Sequence, residues 1–465
     1  MNAQTLFRLL SRTRQEGSPF RAPWIIFWAG LLVRVLYISL AHTYRVRLLQ
    51  DHFQFGWEMG RIARALATGY GYADPFNGHS GPTAWTPPLY PLLLAGVFKL
   101  FGVYTARSAW VILTINSIFS AATALAVYEI AARCYRRFAN GRSIALWSGW
   151  LWALYPGAMQ YAVRWIWDMS VSTFLFAWVI VIALRVRQIG GSPDSLDDPT
   201  TQWKQAPSWA VFGLLWGLIA LSNSSLLLFL PFCTLWMVWG DWRTPGVNRR
   251  SIVSRLIIHL STAALLCILC IAPWIVRNWR VFHAFVPMRA NFGAELYEST
   301  LPENKGFPWM ATLPLAETSP DFQRYRRLGE LAYSRQQGER GKAILLANKT
   351  VFAHHILKRI YFFWSSVPHP VEKSFLNELS REVFFAFTSL SGLLGLALAV
   401  HRKVPGAWLF AGAFASLPLI YYVITVQARF RHPLEPLIAI LAVFLFQSAD
   451  RSRTWSWQPE SHPQP

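Results

Sequence analysis

Charge is scarce in this chain of 465 residues: only 14% of the residues are charged, while 54% are hydrophobic. Soluble domains of ordinary composition carry charge on about a quarter of their residues, so this class of protein is excluded. Long uncharged runs recur along the whole chain, which is typical of a polytopic membrane protein. The sequence therefore predicts an all-α polytopic membrane protein.

Acidic residues are scarcer than basic ones, 23 against 44, and the formal net charge is +21. Such an excess can indicate nucleic-acid binding. Here, however, the basic residues form no single tail or stripe. They lie in short clusters between apolar runs, as membrane topology signals do. We therefore expect membrane lipids, and no nucleic acid, among the partners.

Cysteine is also rare, and all four cysteines lie in or beside apolar runs. No disulfide scaffold is expected. Cys267 and Cys270 form a CxxC inside a predicted spanning helix, where small apolar side chains are favoured over a redox or metal role. The N-terminal segment is basic and polar and lacks a small-residue cleavage site, so the first helix is expected to act as an anchor.

Ten apolar runs are predicted to span the membrane, since about 20 helical residues cross about 30 Å of hydrocarbon. They are 23–42, 108–132, 143–160, 168–186, 207–222, 224–240, 252–275, 380–400, 405–424 and 433–449. The run 87–102 is too short, because from Pro88 to Phe101 a helix rises only about 21 Å. We predict that this run lies in the membrane interface.

The basic clusters decide the sidedness. If 87–102 does not cross, the clusters between later spans all fall on the side of the N terminus, as the positive-inside rule requires. These clusters are 133–142, 185–188, 242–255, 401–403 and 450–453. Both termini are then cytoplasmic, and the two large segments 43–107 and 276–379 face outward.

The predicted organisation therefore has five parts. They are a cytoplasmic segment 1–22, a transmembrane core 23–275 containing the first outer loop 43–107, a fourth outer loop 276–379, C-terminal spans 380–449 and a cytoplasmic tail 450–465. Interfacial or surface helices are expected in the first and fourth outer loops, where apolar and polar residues alternate at helical spacing.

Two acids lie at the outer ends of predicted spans. Asp51 follows the first span and opens a predicted amphipathic helix 51–67, on which Glu58 would share its face. Asp168 opens the fourth span in the stretch RWIWDMSV. An acid at membrane depth indicates function. The alternatives are an N-cap for either acid, or an ion pair of Asp168 with Arg164.

Basic residues also lie in outward loops, where the topology rule disfavours them. Arg277 follows the seventh span, and Arg429, Arg431 and His432 lie in the short loop QARFRHPLEP. The arginine fork suits phosphate oxygens, so these four residues are predicted to bind a phosphate. The alternative is contact with anionic lipid headgroups.

The chain resembles the GT-C type polytopic glycosyltransferases, which include family 39 proteins, protein O-mannosyltransferases and aminoarabinose transferases. The resemblance is carried by Asp51, ATGYGY, PTAWTPPLYPLLLAGVFKLFG, APWIVRNW, RIYFFW and RFRHPLEP, spread from residue 51 to 436. It implies inverting transfer of a sugar from a polyprenyl-phosphate carrier, with an acid in the first outer loop as base. Asp51 occupies that place. His52 follows it where such families often carry a second acid or an aromatic residue, so a lipid, a glycan and a protein stay open as acceptors.

On this hypothesis Asp51 is the catalytic base, and Asp168 orients the acceptor or shares a divalent metal with Asp51. The expected donor-phosphate ligands are Arg429, Arg431, His432 and Arg277. No cofactor is required, and no dense cluster of His, Asp and Glu indicates a metal site. The protein is expected in a plasma membrane such as the bacterial inner membrane, with its active site on the non-cytoplasmic face.

The alternative function is a transporter or flippase of a lipid-linked sugar. Such a protein would carry charged or broken helices near mid-membrane and often two related halves. The sequence has few charges within its apolar runs, Arg34 being one, and no twofold repeat is evident. The transferase interpretation is therefore favoured.

Overall fold

The structure is a computed structural model, and it describes residues 23–46, 55–190, 206–242, 249–304, 317–368 and 374–448. The predicted base Asp51 and the terminal segments 1–22 and 450–465 lie outside these residues. Among the residues described, the only β pairing is an isolated bridge between Ala73 and Pro82. The prediction of an all-α chain is confirmed.

The first half of the chain forms helices α1 (Pro23–Leu40), α2 (Glu58–Ala67), α3 (Leu89–Phe101), α4 (Ala106–Cys134), α5 (Gly141–Leu154), α6 (Pro156–Val163), α7 (Met169–Val186), α8 (Ala206–Ser222) and α9 (Leu230–Trp242). The second half forms α10 (Arg249–Phe282), α11 (Phe292–Thr300), α12 (Pro320–Leu328), α13 (Glu330–Ala347), α14 (Lys349–Ser365), α15 (Phe375–His401), α16 (Ala407–Ser416), α17 (Leu419–Val423) and α18 (Glu435–Gln447). Short 3₁₀ helices occupy Ser224–Phe229, Pro302–Asn304 and Ala428–Leu434.

Six helical stretches in the described residues are long and apolar enough to cross a membrane, judged by length and composition. They are Pro23–Leu40, Ala106–Cys134, Met169–Val186, Ile252–Phe282, Phe375–His401 and Ala428–Gln447. The other four predicted spans coincide with shorter helices. The span 143–160 corresponds to α5 and α6, 207–222 to α8, 224–240 to α9, and 405–424 to α16 and α17. The chain is an all-α membrane protein, and the count of ten spans stays a prediction.

Helix α7 is the central helix of the bundle. It is 83% buried inside the protein, whereas α1 is 22% buried, and it packs against α4 and α8. An apolar helix that is enclosed on all sides needs no polar face, which fits the near-continuous apolar sequence of α7. Asp168 directly precedes α7 and therefore lies at the N-terminal end of the most buried of the six candidate spans, which the predicted sidedness places on the outer face.

A proline breaks the predicted span 143–160, and a buried arginine compensates for the break. The carbonyl of Trp152 would pair with the N–H of residue 156, which is a proline and has none. Arg34, which is fully buried, donates from Nη2 to that carbonyl at 3.3 Å and from Nη1 to the carbonyl of Ala153 at 2.7 Å. Unpaired carbonyls are costly in an apolar layer, so Arg34 has a structural role.

The predicted helix 51–67 is wrong over residues 55–57, because α2 begins at Glu58. Residues 51–54 of that prediction lie outside the described ranges. Gly56 and Trp57 have positive φ angles of 90° and 51°, a backbone conformation that cannot continue a right-handed helix. The helix therefore does not extend N-terminally from Glu58 through Gly56, and the predicted face shared with Asp51 stays untested.

Helices α2 and α3 form an antiparallel hairpin. Phe55, just before α2, contacts Phe98 and Tyr104 at the far end of α3, with ring centroids 5.9 and 5.1 Å apart. The Tyr104 hydroxyl also donates to the carbonyl of Gly60 at 3.2 Å. Helix α3 has 13 residues and is about 20 Å long. This length and the pairing with the charged helix α2 support the interfacial placement predicted for 87–102.

The first and fourth outer loops are joined at Glu330, the first residue of α13. Its buried carboxylate accepts hydrogen bonds from the backbone N–H of Ala84 at 2.7 Å, from the hydroxyl of Tyr325 at 2.7 Å, and from the hydroxyl of Thr83. A buried carboxylate with this many donors is well compensated. Because the two loops contact each other, they lie on the same side of the membrane, as the predicted sidedness requires.

Candidate functional site

Six charged side chains from four parts of the chain come together beside the outer end of α7. We call them the outer charged cluster: Glu58, Asp168, Arg289, Glu295, Glu298 and Arg429. Each acts electrostatically on at least one other member. They are supplied by the start of α2, the start of α7, helix α11 with the turn before it, and the 3₁₀ helix before α18.

Arg429 is the member best placed to receive an anion. Its guanidinium carbon lies 3.8 Å from the ring centroid of Trp167, and its charge interacts with those of Glu58, Asp168 and Glu295. Within the part of the chain that the structure describes, Arg429 makes no hydrogen bond and no ion pair. Its N–H groups are therefore available to phosphate oxygens.

Asp168 is buried, with 4% of its surface exposed. It precedes α7 but makes no capping hydrogen bond to the helix backbone. Its carboxylate accepts instead from the hydroxyl of Ser172 at 2.9 Å, and the cations that act on it are Arg429 and Arg289. Since an uncompensated acid is costly at this depth, the N-cap and Arg164 alternatives explain Asp168 less well than a role in the cluster.

Three glutamates of the cluster repel one another. Burial raises the pKa of Glu58 and of Glu295 above the ordinary value of 4.5. Burial, together with the charges of Glu295 and Glu58, raises the pKa of Glu298 well above that value. Arg429 opposes the shift at Glu58 and Glu295, and Arg289 lies 3.9 Å from the Glu295 carboxylate. The cluster thus holds more acidic than basic groups in a partly desolvated place.

We expect this crowding to make the stability pH-dependent. A raised folded-state pKa means that folded Glu298 holds a proton that the unfolded chain has released, so the free energy of unfolding falls as the pH rises from 4.5 through the folded pKa of Glu298. The slope for one proton is at most about 1.4 kcal/mol per pH unit. Glu298→Gln should flatten the profile of melting temperature against pH in detergent. The exposed control Glu303→Gln should leave it unchanged, and an equal slope in both variants would contradict this account.

Arg431, predicted as a phosphate ligand, is engaged by the protein itself. It is 1% exposed, and its Nε donates to the Glu435 carboxylate at 2.7 Å. Its Nη1 donates to the carbonyl of Phe385 at 3.1 Å and to the hydroxyl of Ser389, and its Nη2 donates to the hydroxyl of Thr388 at 3.0 Å. These bonds fasten the last span to α15, and they leave Arg431 few N–H groups for a ligand.

We therefore expect Arg431→Met to act mainly on stability. Removing one partner of a buried ion pair costs about 3–5 kcal/mol, because Glu435, which is 7% exposed, would lose its counter-charge. Thermal unfolding in detergent measures the loss, and the added change Glu435→Leu should recover part of it. A variant as stable as the wild type but deficient in donor binding would instead restore the phosphate role.

His432 and Arg277 contact other residues than Arg429 does. His432 is 1% exposed and lies between the rings of Trp152 and Tyr161, at centroid distances of 5.6 and 4.7 Å. Arg277 donates to the carbonyls of Thr83 and Tyr72, both at 2.7 Å. It therefore fastens the first outer loop to the end of α10. The phosphate role predicted for these two residues stays a prediction without a supporting contact.

Of the site residues predicted from the sequence, the structure brings Asp168 and Arg429 together. Asp51 lies outside the described residues. Arg277 and Arg431 donate to other groups of the protein, and His432 contacts the rings of Trp152 and Tyr161 without a hydrogen bond at either ring nitrogen in the described residues. The sequence interpretation missed Arg289, Glu295 and Glu298. A signal for them existed in the outward stretch RANFGAELYE, where two acids stand three residues apart and so share a helical face.

A metal site is not complete in the described residues. No three His, Cys, Asp or Glu side chains among them come close enough to hold a metal ion. The divalent metal predicted to lie between Asp51 and Asp168 needs an acid outside the described ranges.

Comparison with known proteins shows the fold. No protein-family model and no curated protein sequence match the chain. The solved structure of the archaeal oligosaccharyltransferase AglB from Archaeoglobus fulgidus, in complex with an inhibitory peptide and a dolichol-phosphate, matches with a TM-score of 0.50 at 13% identity, over 91% of this chain and 50% of that one. The same oligosaccharyltransferase tethered to an acceptor peptide matches with a TM-score of 0.50 at 14% identity, over 91% and 49%.

The predicted resemblance to GT-C glycosyltransferases is thus confirmed at the level of the fold. The chain spans about half the length of the oligosaccharyltransferase that it matches. ArnT from Cupriavidus metallidurans, bound to undecaprenyl phosphate, also matches, over 90% of this chain and 78% of that one at 15% identity. The TM-score of this match is 0.34.

Proposed function

We propose that this protein is a membrane glycosyltransferase. It moves a sugar from a polyprenyl-phosphate-linked donor to an acceptor hydroxyl on the non-cytoplasmic face, with inversion at the anomeric carbon. The observation that carries the proposal is the environment of Arg429, whose N–H groups have no hydrogen-bonded protein partner among the described residues and whose charge interacts with that of the acid Asp168. A fold shared with a solved oligosaccharyltransferase supports it.

The donor phosphate is held by Arg429. As the bond between the anomeric carbon and the phosphate oxygen breaks, negative charge grows on the phosphate oxygens. A fixed guanidinium stabilises this charge in the transition state more than in the ground state. Arg429 is already half-buried, so the charge pair forms in a medium of lower dielectric than water.

The acceptor hydroxyl is a weak nucleophile and needs a base as it attacks. Asp51 fills this role in the proposal, because one carboxylate suffices for a single inverting displacement and general-base catalysis contributes about 10²–10⁴-fold. The four residue-to-residue steps from Asp51 to Phe55 can span at most about 14 Å. The next residue, Gly56, packs directly on Ile166 and Trp167, and this connection is compatible with the proposed role of Asp51.

Asp168 and the glutamates of the outer charged cluster orient the acceptor. Carboxyl groups accept hydrogen bonds from sugar or peptide hydroxyls, and a carboxyl with a raised pKa also donates one. Glu58, Glu295 and Glu298 have raised pKa values. A site rich in such groups is suited to a hydroxyl-bearing acceptor of lipid, glycan or protein type.

Purified protein in proteoliposomes, supplied with a panel of polyprenyl-phosphate sugars, tests this function. We expect release of free polyprenyl phosphate together with a glycosylated product, and mass spectrometry of cell-envelope glycans with and without the gene should identify the acceptor. Movement of an intact lipid-linked sugar between leaflets, with no cleavage of its phosphate bond, would contradict the proposal in favour of a flippase.

A further inference from the structure

Two tryptophans form a stacked pair next to Arg429. The rings of Trp165 and Trp167 are 5.0 Å apart between centroids and 15° from parallel. Arg429 lies over the ring of Trp167 at 3.8 Å. The distance is short even for a cation–π contact, which is counted out to about 6 Å.

The segment that carries these rings is held in place by the backbone. It runs from Arg164 to Asp168 between α6 and α7 and is not helical. A Cβ added to Gly56 would lie 2.3 Å from the carbonyl oxygen of Ile166 and 3.6 Å from Cδ1 of Trp167. Only glycine permits this approach, and Gly56 also has φ +90°. The position of Trp167 is therefore fixed by the loop that follows Asp51.

We propose that Trp167 is a positioning residue for the donor phosphate and that it acts through Arg429. The guanidinium carbon lies 3.8 Å from the indole centroid, and a guanidinium stacked on an aromatic face keeps the N–H groups at its edge free for a ligand. Arg429 has no hydrogen-bonded protein partner among the described residues, so this stacking replaces the carboxylate that usually orients a buried arginine. The inference rests on the proposed function, in which Arg429 binds the donor.

The stacking also explains why the site uses no close ion pair for Arg429. A carboxylate within hydrogen-bond distance would compete with the phosphate for the same N–H groups, whereas an aromatic face does not. Glu58, Asp168 and Glu295 influence Arg429 through charge, but no ion pair within 4 Å joins it to any of these three residues. The ring can therefore fix the position of the Arg429 guanidinium while its N–H groups stay available to the phosphate.

A double-mutant cycle on the purified protein tests this inference. Trp167→Leu should raise the KM for the lipid-linked donor about tenfold and leave the KM for the acceptor unchanged. Trp167→Phe, which keeps an aromatic face, should recover most of the loss. In an Arg429→Ala background, Trp167→Leu should have no further effect on donor KM, because the arginine through which Trp167 acts is gone.

The outcomes separate this inference from the function on which it rests. If Arg429→Ala impairs donor use but Trp167→Leu does not, or if the two effects multiply, the positioning role is wrong and the function stands. If Arg429→Ala leaves donor use unchanged, the phosphate role itself fails. Should Trp167→Leu not fold, as judged by its melting temperature, the cycle is run with Trp167→Phe, for which a donor KM about threefold above wild type and no effect in the Arg429→Ala background are expected.

Discussion

Asp51→Asn is expected to lower the rate of sugar transfer by about 10²–10⁴-fold, the contribution of a general base. Asparagine has nearly the same shape as aspartate but cannot accept the proton of the acceptor hydroxyl at neutral pH. Protein yield and donor KM should therefore stay close to those of the wild type. Single-turnover measurements with saturating donor would isolate the chemical step.

Asp321→Asn is the matched control for this prediction. Asp321 lies in the fourth outer loop and is a partly exposed acid whose nearest cation is Arg324, at 3.8 Å. The same change from carboxylate to amide there should alter the rate less than twofold, which is within the scatter of a surface substitution. Normal turnover by Asp51→Asn would remove Asp51 from the mechanism and leave Asp168 or Glu58 as the acid to test next.

Arg429→Ala is expected to lower kcat/KM for the donor by about 10²–10³-fold, the usual effect of removing one donor group that stabilises transition-state charge. Arg429 is half-buried and has no hydrogen-bonded protein partner in the described residues. Its N–H groups are therefore available to bind the donor phosphate. Arg429→Lys should recover only part of the rate, because an ammonium cannot bind two phosphate oxygens side by side.

Arg326→Ala is the control for the arginine prediction, since Arg326 is exposed on α12. It should leave donor dependence unchanged. If Arg429→Ala behaves like Arg326→Ala, the outer charged cluster does not bind the donor phosphate. The observation that supports the proposed function would then be lost, although the assignment of the fold would be unaffected.

The fold and its apolar organisation could be predicted from the sequence because long uncharged runs are a strong signal. The break at Pro156 could have been predicted as well, since proline interrupts a helix wherever it falls within a span. The start of α2 at Glu58 could not, because Gly56, whose φ angle is positive, packs against Ile166. This contact is more than 100 residues away in the sequence.

The site could be predicted only in part, for a reason that the arginines make clear. Arg429 and Arg431 are two residues apart in one motif and have the same chemistry, so no local signal separates them. Both lie over an aromatic ring, Trp167 for Arg429 and Phe385 for Arg431. Only Arg431 also donates to the carbonyl of Phe385 and to the side chains of Thr388 and Ser389, whereas Arg429 makes no hydrogen bond within the described residues. The tertiary structure decides which distant residues pack against each arginine, and a single sequence carries no local signal for these contacts.

The sidedness of the first outer loop tests the central claim most directly. In a variant without native cysteines, Tyr70→Cys places one thiol at an exposed position of that loop, and Arg402→Cys places one in the predicted cytoplasmic turn after α15. The account predicts that a membrane-impermeant maleimide labels Tyr70→Cys in intact cells and labels Arg402→Cys only after permeabilisation. Labelling of Tyr70→Cys only after permeabilisation would place the outer charged cluster inside the cell and contradict the account.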